Sequence, residues 1–178
     1  MKAPEKAGEI VTIVIAPREK ISTLLACLRS LFSSIPNDVR VLACMPELPE
    51  QTRQNVLRIM QQRGLAELIE LEAGVIPHQA RRKGVELANT PWVLFADNDI
   101  EFNQSWFQPM FAEMTLGKAD VLAPLIFIGP PLEQKIHHAG GLLRITEEDD
   151  GGITVRETHR HMNEQITKPG VAEKLISD

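Results

Sequence analysis

The sequence has no apolar run long enough to cross a bilayer. Its two longest runs, residues 10–16 and 121–128, are far shorter than the roughly 20 residues that a spanning helix needs. Residues 1–9 are charged and contain glycine, so they lack the apolar core of a secretory signal. These absences predict a cytoplasmic protein without a transmembrane segment.

An excess of basic residues is also missing, because the formal net charge is −5. A general nucleic-acid binder carries a basic face, so no nucleic-acid partner is expected, and the cluster at residues 81–83 is only local. Cys27 and Cys44 lack the spacing of a metal site and lie in apolar surroundings. They are expected to be buried free thiols of a protein in a reducing compartment.

What is present fits one globular domain over residues 1–178, since 43% of the residues are hydrophobic and 24% are charged. Apolar strand patterns alternate with amphipathic helical patterns over the first hundred residues. The predicted strands are residues 10–16, 39–45 and 68–71, and an extended stretch that starts at residue 91 and runs on through Asp97 and Asp99. The predicted helices are residues 21–32, 50–63 and 78–89. This alternation predicts an α/β, Rossmann-like fold with a mostly parallel central sheet and helices on both faces.

The pattern is looser after residue 101. We expect a short helix at residues 106–114, a strand at 120–128 and a hairpin formed by 140–146 with 153–157. The acidic residues 147–150 are interpreted as a solvated turn between the two hairpin strands. The last twenty residues show no clear element.

Two carboxylates follow the strand that begins near Trp92. In an extended chain alternate side chains share a side, so Asp97 and Asp99 are expected to face one spot while Asn98 points away. Two oxygen ligands at the carboxyl end of a parallel strand suit Mg²⁺ or Mn²⁺ together with a substrate phosphate. The alternative is a simple turn, since Asp and Asn favour turns without any ligand.

Several segments together resemble the family 2 glycosyltransferases, whose nucleotide-sugar-binding half has the GT-A fold. Residues 11–19 look like the family's first strand and the following loop, and residues 80–88 are similar to its Ala-Arg-Asn-x-Gly helix. That helix precedes Asp97-Asn98-Asp99 at the customary distance, and residues 137–141 look like a segment of some bacterial members. The resemblance covers roughly residues 9–145.

The resemblance implies a nucleotide-sugar-binding core over residues 9–130, followed by a hairpin and tail at 131–178 that begin a truncated acceptor-side region. It implies that Asp97 binds the ribose and helps to orient the metal, while Asp99 ligates Mn²⁺ or Mg²⁺. Arg81 would contact the diphosphate or ribose, although a surface salt bridge is the alternative for this side chain. The full implied donor-binding set is Pro17, Arg18, Glu19, Glu47, Arg81, Asp97, Asn98 and Asp99.

The implied activity is transfer of a sugar from a UDP-, GDP- or dTDP-sugar to a glycan, lipid or protein acceptor, with inversion at the anomeric carbon. Two departures qualify it. The second strand ends near Glu47 instead of the family's Asp, and no residue is identified as the general base. The alternative is therefore a non-catalytic nucleotide-sugar-binding or regulatory module of the same fold.

Other chemistry is less well supported. A nucleotidyltransferase would carry a glycine-rich phosphate loop after the first strand, but residues 16–20 contain no glycine. Two histidine pairs are candidate metal ligands, His137 with His138 and His159 with His161, and the spacing of the second pair places both on one strand face. No third ligand completes a recognisable zinc spacing.

Overall fold

The computed structural model describes residues 6–18, 20–148 and 151–177. The chain divides into two compact units, Met1–Ala119 and Asp120–Asp178, and each is described by itself. The prediction that both belong to one domain stays a prediction. Within the described ranges, no helix is both long and apolar enough to cross a membrane.

The first unit alternates strands and helices as predicted. A short helix α1 (Ala7–Ile10) leads into β1 (Val11–Ala16), and a 3₁₀ turn (Ile21–Thr23) leads into α2 (Leu24–Ser34). The remaining elements are β2 (Arg40–Pro46), α3 (Glu50–Gln61), β3 (Ala66–Leu71), α4 (Pro77–Leu87), β4 (Trp92–Asp97) and α5 (Phe107–Leu116). Each predicted element of this unit is present, with ends shifted by a few residues.

Four parallel strands form the sheet of this unit in the order β3-β2-β1-β4. The predicted α/β class with a parallel sheet is therefore confirmed. All six residues of β1 are buried, as the continuous β-branched run indicates for a central strand covered on both faces. Side chains alternate along a strand, so Val14 packs on one face of the sheet, while Ile13 and Ile15 pack on the opposite face. All three side chains are fully buried.

Helix α4 lies very close to the sheet. Ala80 is fully buried in a cluster with Val14, Ala16, Leu42 and Cys44. One turn later, a Cβ on Gly84 would stand only 2.3 Å from Cγ1 of Val14. Glycine is needed here because any side chain would push the helix off β1.

The described part of the second unit contains two antiparallel strand pairs, a 3₁₀ turn (Pro131–Glu133) and one α-helix. Strand β5 (Ile126–Ile128) pairs with β6 (Lys135–His138), and β7 (Gly141–Glu147) pairs with β8 (Ile153–His159). The predicted hairpin is confirmed. Its turn is closed by the Glu148 N–H donating to the Gly152 carbonyl, while Asp149 and Asp150 of the predicted acidic turn lie outside the described residues.

Two predictions for the second unit were wrong. The strand predicted at residues 120–128 is limited to Ile126–Ile128, since Pro124 has no N–H to offer a strand ladder. The last twenty residues contain a helix, α6 (Val171–Ser177), which starts directly after Gly170. Gly170 has a φ of +80°, a backbone conformation that suits glycine and separates the helix from the preceding chain.

Candidate functional site

The candidate site lies in the first unit, where the neighbouring strands β1 and β4 end together. The two strands are in register up to their last residues, with Ala16 opposite Asp97. The loop after β1 and the turn after β4 therefore leave the sheet side by side. In a parallel α/β sheet this carboxyl edge is where ligands bind.

Asp97 is paired with Arg81. Nη2 of Arg81 lies 2.5 Å from Oδ1 of Asp97, and the side chains are 27% and 23% exposed. Such a half-buried, charge-assisted hydrogen bond orients both groups better than a pair at the open surface. Arg81 was expected either to contact the donor or to form a salt bridge. The salt bridge exists, and its partner Asp97 is itself a residue of the predicted donor site.

The start of α4 places Arg81 at this position. The Gln79 side chain accepts a hydrogen bond from the Ile76 N–H at 3.1 Å, which satisfies a donor at the helix entrance. Ala80 and Gly84 then hold the helix against β1, so that Arg81 between them is directed to the end of β4. The buried Nε of Arg81 has no hydrogen-bond partner in the described part of the chain.

The extended backbone expected through Asp97, Asn98 and Asp99 stops at Asp97, although Asn98 does point inward while Asp97 and Asp99 stay accessible. Strand β4 ends at Asp97, and the Ile100 N–H donates to the Asp97 carbonyl at 3.3 Å to close a turn. The backbone after Asp97 is therefore a turn and not a continued strand. Asn98 becomes fully buried and Asp99 is exposed at the surface of the same turn.

Asn98 is joined entirely to protein groups. Its Oδ1 accepts the Arg18 N–H at 2.6 Å, and its Nδ2 donates to the Lys20 carbonyl at 2.6 Å and to Thr23 Oγ1 at 3.3 Å. Its own N–H donates to the Ala16 carbonyl at 3.1 Å. The side chain thus ties the β4 turn to the loop after β1, a relationship between residues some 80 positions apart that no local pattern could reveal.

A thiol lies beneath the acidic turn. Sγ of Cys27, on α2, donates to the Asp97 carbonyl at 3.7 Å. Burial, and then the negative charge of Asp99, raises the pKa of the Cys27 thiol to about 12. Burial likewise raises the pKa of Cys44 to about 11. Both cysteines are free and buried, as the sequence predicted, and both are protonated at neutral pH.

The other predicted donor-site residues have fewer contacts with the end of β4. Pro17 is buried at the end of β1, and Arg18 reaches the site through its backbone N–H while its side chain is exposed. Glu47 is exposed just beyond β2 and has no hydrogen bond or ion pair to another described residue. Glu19 lies outside the described residues.

The carboxylates of the turn fit one class of divalent cation. No group of three or more His, Cys, Asp or Glu side chains within the described ranges is arranged to hold a metal ion. Mg²⁺ is usually bound through only one or two carboxylates and completes its shell with water and substrate phosphates. The exposed carboxylate of Asp99, with Asp97 beside it, suits that kind of site and not a closed structural one.

Among the described residues, the histidines are not part of any group of three or more possible metal ligands. His159 ends β8, whereas His161 lies beyond it with a φ of +54°, so the expectation that both share one strand face was wrong. Nδ1 of His161 lies 3.3 Å from a carboxylate oxygen of Glu164, and the rings of His138 and His159 meet edge to face. These are structural contacts within the second unit.

A family model described as glycosyl transferase family 2 matches residues 12–166. Polypeptide N-acetylgalactosaminyltransferase 4 of Caenorhabditis elegans is 29% identical over 134 residues, which cover 68% of this chain and 21% of that protein. The chain therefore spans about a fifth of the length of this curated relative.

Two structures of TarS from S. aureus, one of them limited to residues 1-349, are similar in fold. Their TM-scores are 0.53 and 0.52, both are 16% identical, and both comparisons cover 66% of this chain. They cover 24% and 39% of the TarS chains. At this identity the likeness concerns the fold alone.

Proposed function

Because this chain belongs to glycosyl transferase family 2 and has the GT-A fold, we propose that its first unit binds a nucleotide-diphosphosugar together with Mn²⁺ or Mg²⁺. The sugar would pass to a glycan, lipid or protein acceptor with inversion. One observation carries the donor-site part of this proposal. The Arg81–Asp97 pair and the exposed Asp99 lie at the joint carboxyl edge of β1 and β4, beside the loop that begins at Pro17.

Each side chain in this arrangement has a physical role in the proposal. Asp99 is exposed and offers its carboxylate to the cation. Asp97 is held in one orientation by Arg81 and accepts a ribose hydroxyl through the oxygen that the arginine leaves free. Arg81 keeps further N–H donors for the diphosphate, and its positive charge favours that anion.

The bound cation would act as a Lewis acid that neutralises charge on the departing diphosphate. The protein's own part is to bind and orient the donor above the edge of the sheet. Pro17 and Arg18 would face the base, and Glu47 beyond β2 is the weakest member of the proposed set, since it contacts none of the others. Asn98, which the resemblance included in the donor-binding set, is fully buried and bonded to protein groups, so it is left out of the proposed donor contacts.

The proposal is tested by calorimetric titration of UDP, and then of GDP, with and without Mn²⁺. The parent is expected to bind one of them only when Mn²⁺ is present, and Asp99→Asn is expected to lose this metal-dependent binding. Glu113→Gln is the matched control, because it removes an exposed carboxylate from α5 of the same unit.

The outcomes separate two readings. Metal-dependent binding that is lost in Asp99→Asn and kept in Glu113→Gln supports the donor site. Binding by the parent without sugar transfer to any acceptor would favour the non-catalytic module. Absence of binding of UDP, GDP and dTDP by the folded parent, each titrated with Mn²⁺, would overturn the donor-site proposal.

A further inference from the structure

We propose that Asn98 is a positioning residue that sets the distance between the two halves of the donor site. This inference rests on the proposed function. One half is the turn after β4, with Asp97 and Asp99, and the other is the start of the loop after β1, with Pro17 and Arg18. Asn98 contacts no donor in this proposal, since its side chain is fully buried.

Asn98 holds both halves through a complete set of hydrogen bonds. Both Nδ2 hydrogens are used, on the Lys20 carbonyl at 2.6 Å and on Thr23 Oγ1 at 3.3 Å. Oδ1 accepts the Arg18 N–H at 2.6 Å. Buried polar groups that are fully satisfied in this way specify a single local arrangement, whereas the loss of one partner leaves the others unpaired.

The chemistry of these partners requires an amide. Arg18 offers a donor and Lys20 offers a carbonyl, so position 98 must accept on one side and donate on the other. An aspartate has the same shape and would still accept from Arg18. It would, however, place a carboxylate oxygen against the Lys20 carbonyl and add a third negative charge between Asp97 and Asp99.

The consequence concerns ligands that span both halves. A nucleoside diphosphate reaches the β1 loop with its base and the β4 turn with its diphosphate. Inorganic diphosphate with Mn²⁺ reaches only the β4 turn. Loss of the hydrogen bonds at Asn98 is therefore expected to weaken the binding of UDP more than the binding of inorganic diphosphate. General destabilisation of the fold would not produce this difference.

The first test measures, without a ligand, how firmly Asn98 holds the backbone of the loop after β1. Exchange of the Arg18 amide hydrogen, followed by NMR, should be slow in the parent because that N–H donates to Asn98. It should be at least tenfold faster in Asn98→Ala and closer to the parent in Asn98→Asp, which keeps the acceptor. Asn103→Ala is the control, because Asn103 is an exposed asparagine of the same unit whose side chain, among the described residues, forms hydrogen bonds with Ser105 only.

The second test measures affinity with Mn²⁺ present. Asn98→Ala and Asn98→Asp should bind UDP about tenfold more weakly, with a smaller loss for inorganic diphosphate. Thr23→Val is the milder variant in case Asn98→Ala does not fold, because it keeps the Asn98 amide and removes the longer of its two Nδ2 contacts, together with the hydrogen bond that Thr23 Oγ1 donates to the Lys20 carbonyl. It should shift both readouts in the same direction by a smaller factor.

The outcomes distinguish this inference from the proposed function. If the parent binds UDP, and Asn98→Ala and Thr23→Val bind it as tightly, or lose UDP and diphosphate equally, the positioning role is overturned and the donor site stands. If the parent binds GDP and not UDP, GDP takes the place of UDP in this comparison; if it binds no nucleoside diphosphate, the donor site and its positioning residue are both overturned. A faster Arg18 exchange would then show that the tie is only structural.

Discussion

Replacing Gly84 by alanine tests whether the close approach of α4 to β1 holds the site together. The new Cβ would lie 2.3 Å from Cγ1 and 2.6 Å from Cγ2 of Val14. Carbon atoms in contact prefer a separation of about 3.5–4.0 Å, so helix or strand must move by more than 1 Å. Arg81 lies one turn earlier on this helix and would move with it.

The expected magnitude is a balance of two effects. Overpacking a core position costs typically about 1–3 kcal/mol. The high end applies because the new Cβ would clash with both methyl groups of Val14, which is fully buried. Alanine regains up to about 1 kcal/mol through its better helix propensity. The net loss should be about 2 kcal/mol, or about 4–8 °C in the melting temperature for a protein of this size.

The assay is urea and thermal unfolding followed by tryptophan fluorescence. Both tryptophans of the chain, Trp92 and Trp106, lie in the first unit, so the signal reports on the unit that contains the clash. Val85→Ala is the matched control, because Val85 is a half-exposed neighbour on the same helix. It should change the free energy of unfolding by less than the Gly84 variant.

A double-mutant cycle makes the reasoning refutable. Val14→Ala alone should destabilise the protein by roughly 2 kcal/mol because it leaves a cavity in the core. In the combined variant the methyl group of the new alanine occupies that cavity, so the double mutant should be clearly more stable than the sum of the single losses. Additive losses, or a Gly84→Ala variant as stable as the parent, would show that this contact does not set the helix position.

Two further predictions concern the same unit. Raising the pH from about 9 to 12 should lower the free energy of unfolding. The Cys27 thiol has a pKa of about 12 in the folded protein and an ordinary pKa of 9.0 in the unfolded chain. Above pH 9 the unfolded chain therefore releases a proton that the folded chain retains. Cys27→Ala should reduce that dependence by up to about 1.4 kcal/mol per pH unit, and an unchanged slope in pH-dependent urea titrations would contradict this. Arg63 donates to the carbonyls of Phe32 and Ile35 at the end of α2, both at 3.0 Å, so Arg63→Ala should cost about 2 kcal/mol by the fluorescence assay. Arg58→Ala, which removes an exposed arginine of α3, should cost much less, and equal losses would refute the capping role.

Much of the fold was accessible from sequence because its signals are local. The continuous apolar residues of β1 indicate a strand buried on both faces, and the amphipathic repeat of α2 indicates a helix packed on one side. Alternation of such segments is enough to predict a parallel sheet. The resemblance to the family was carried by the same local groups, the helix with Arg81 and the turn with Asp97 and Asp99.

The errors have local causes as well. Periodicity continued the β4 pattern through Asp99, although a turn begins directly after Asp97. A short helix at the end of the chain was missed because seven residues carry too little periodicity to stand out. Strand β5 was predicted too long, at residues 120–128, because residues 121–128 form an apolar run in which Pro124 interrupts the strand.

The sequence by itself indicated the strands and helices of the first unit and which residues are candidates to bind a cation and a diphosphate. Only the tertiary structure decided which of those groups meet: Asp97 with Arg81, Asn98 with the loop after β1, and Cys27 beneath the acidic turn. The physical reason is that a hydrogen bond or an ion pair depends on positions in space to within a few tenths of an ångström. Those positions follow from how closely α4 and α2 pack on the sheet, and close packing between segments distant in the chain leaves no local pattern in the sequence.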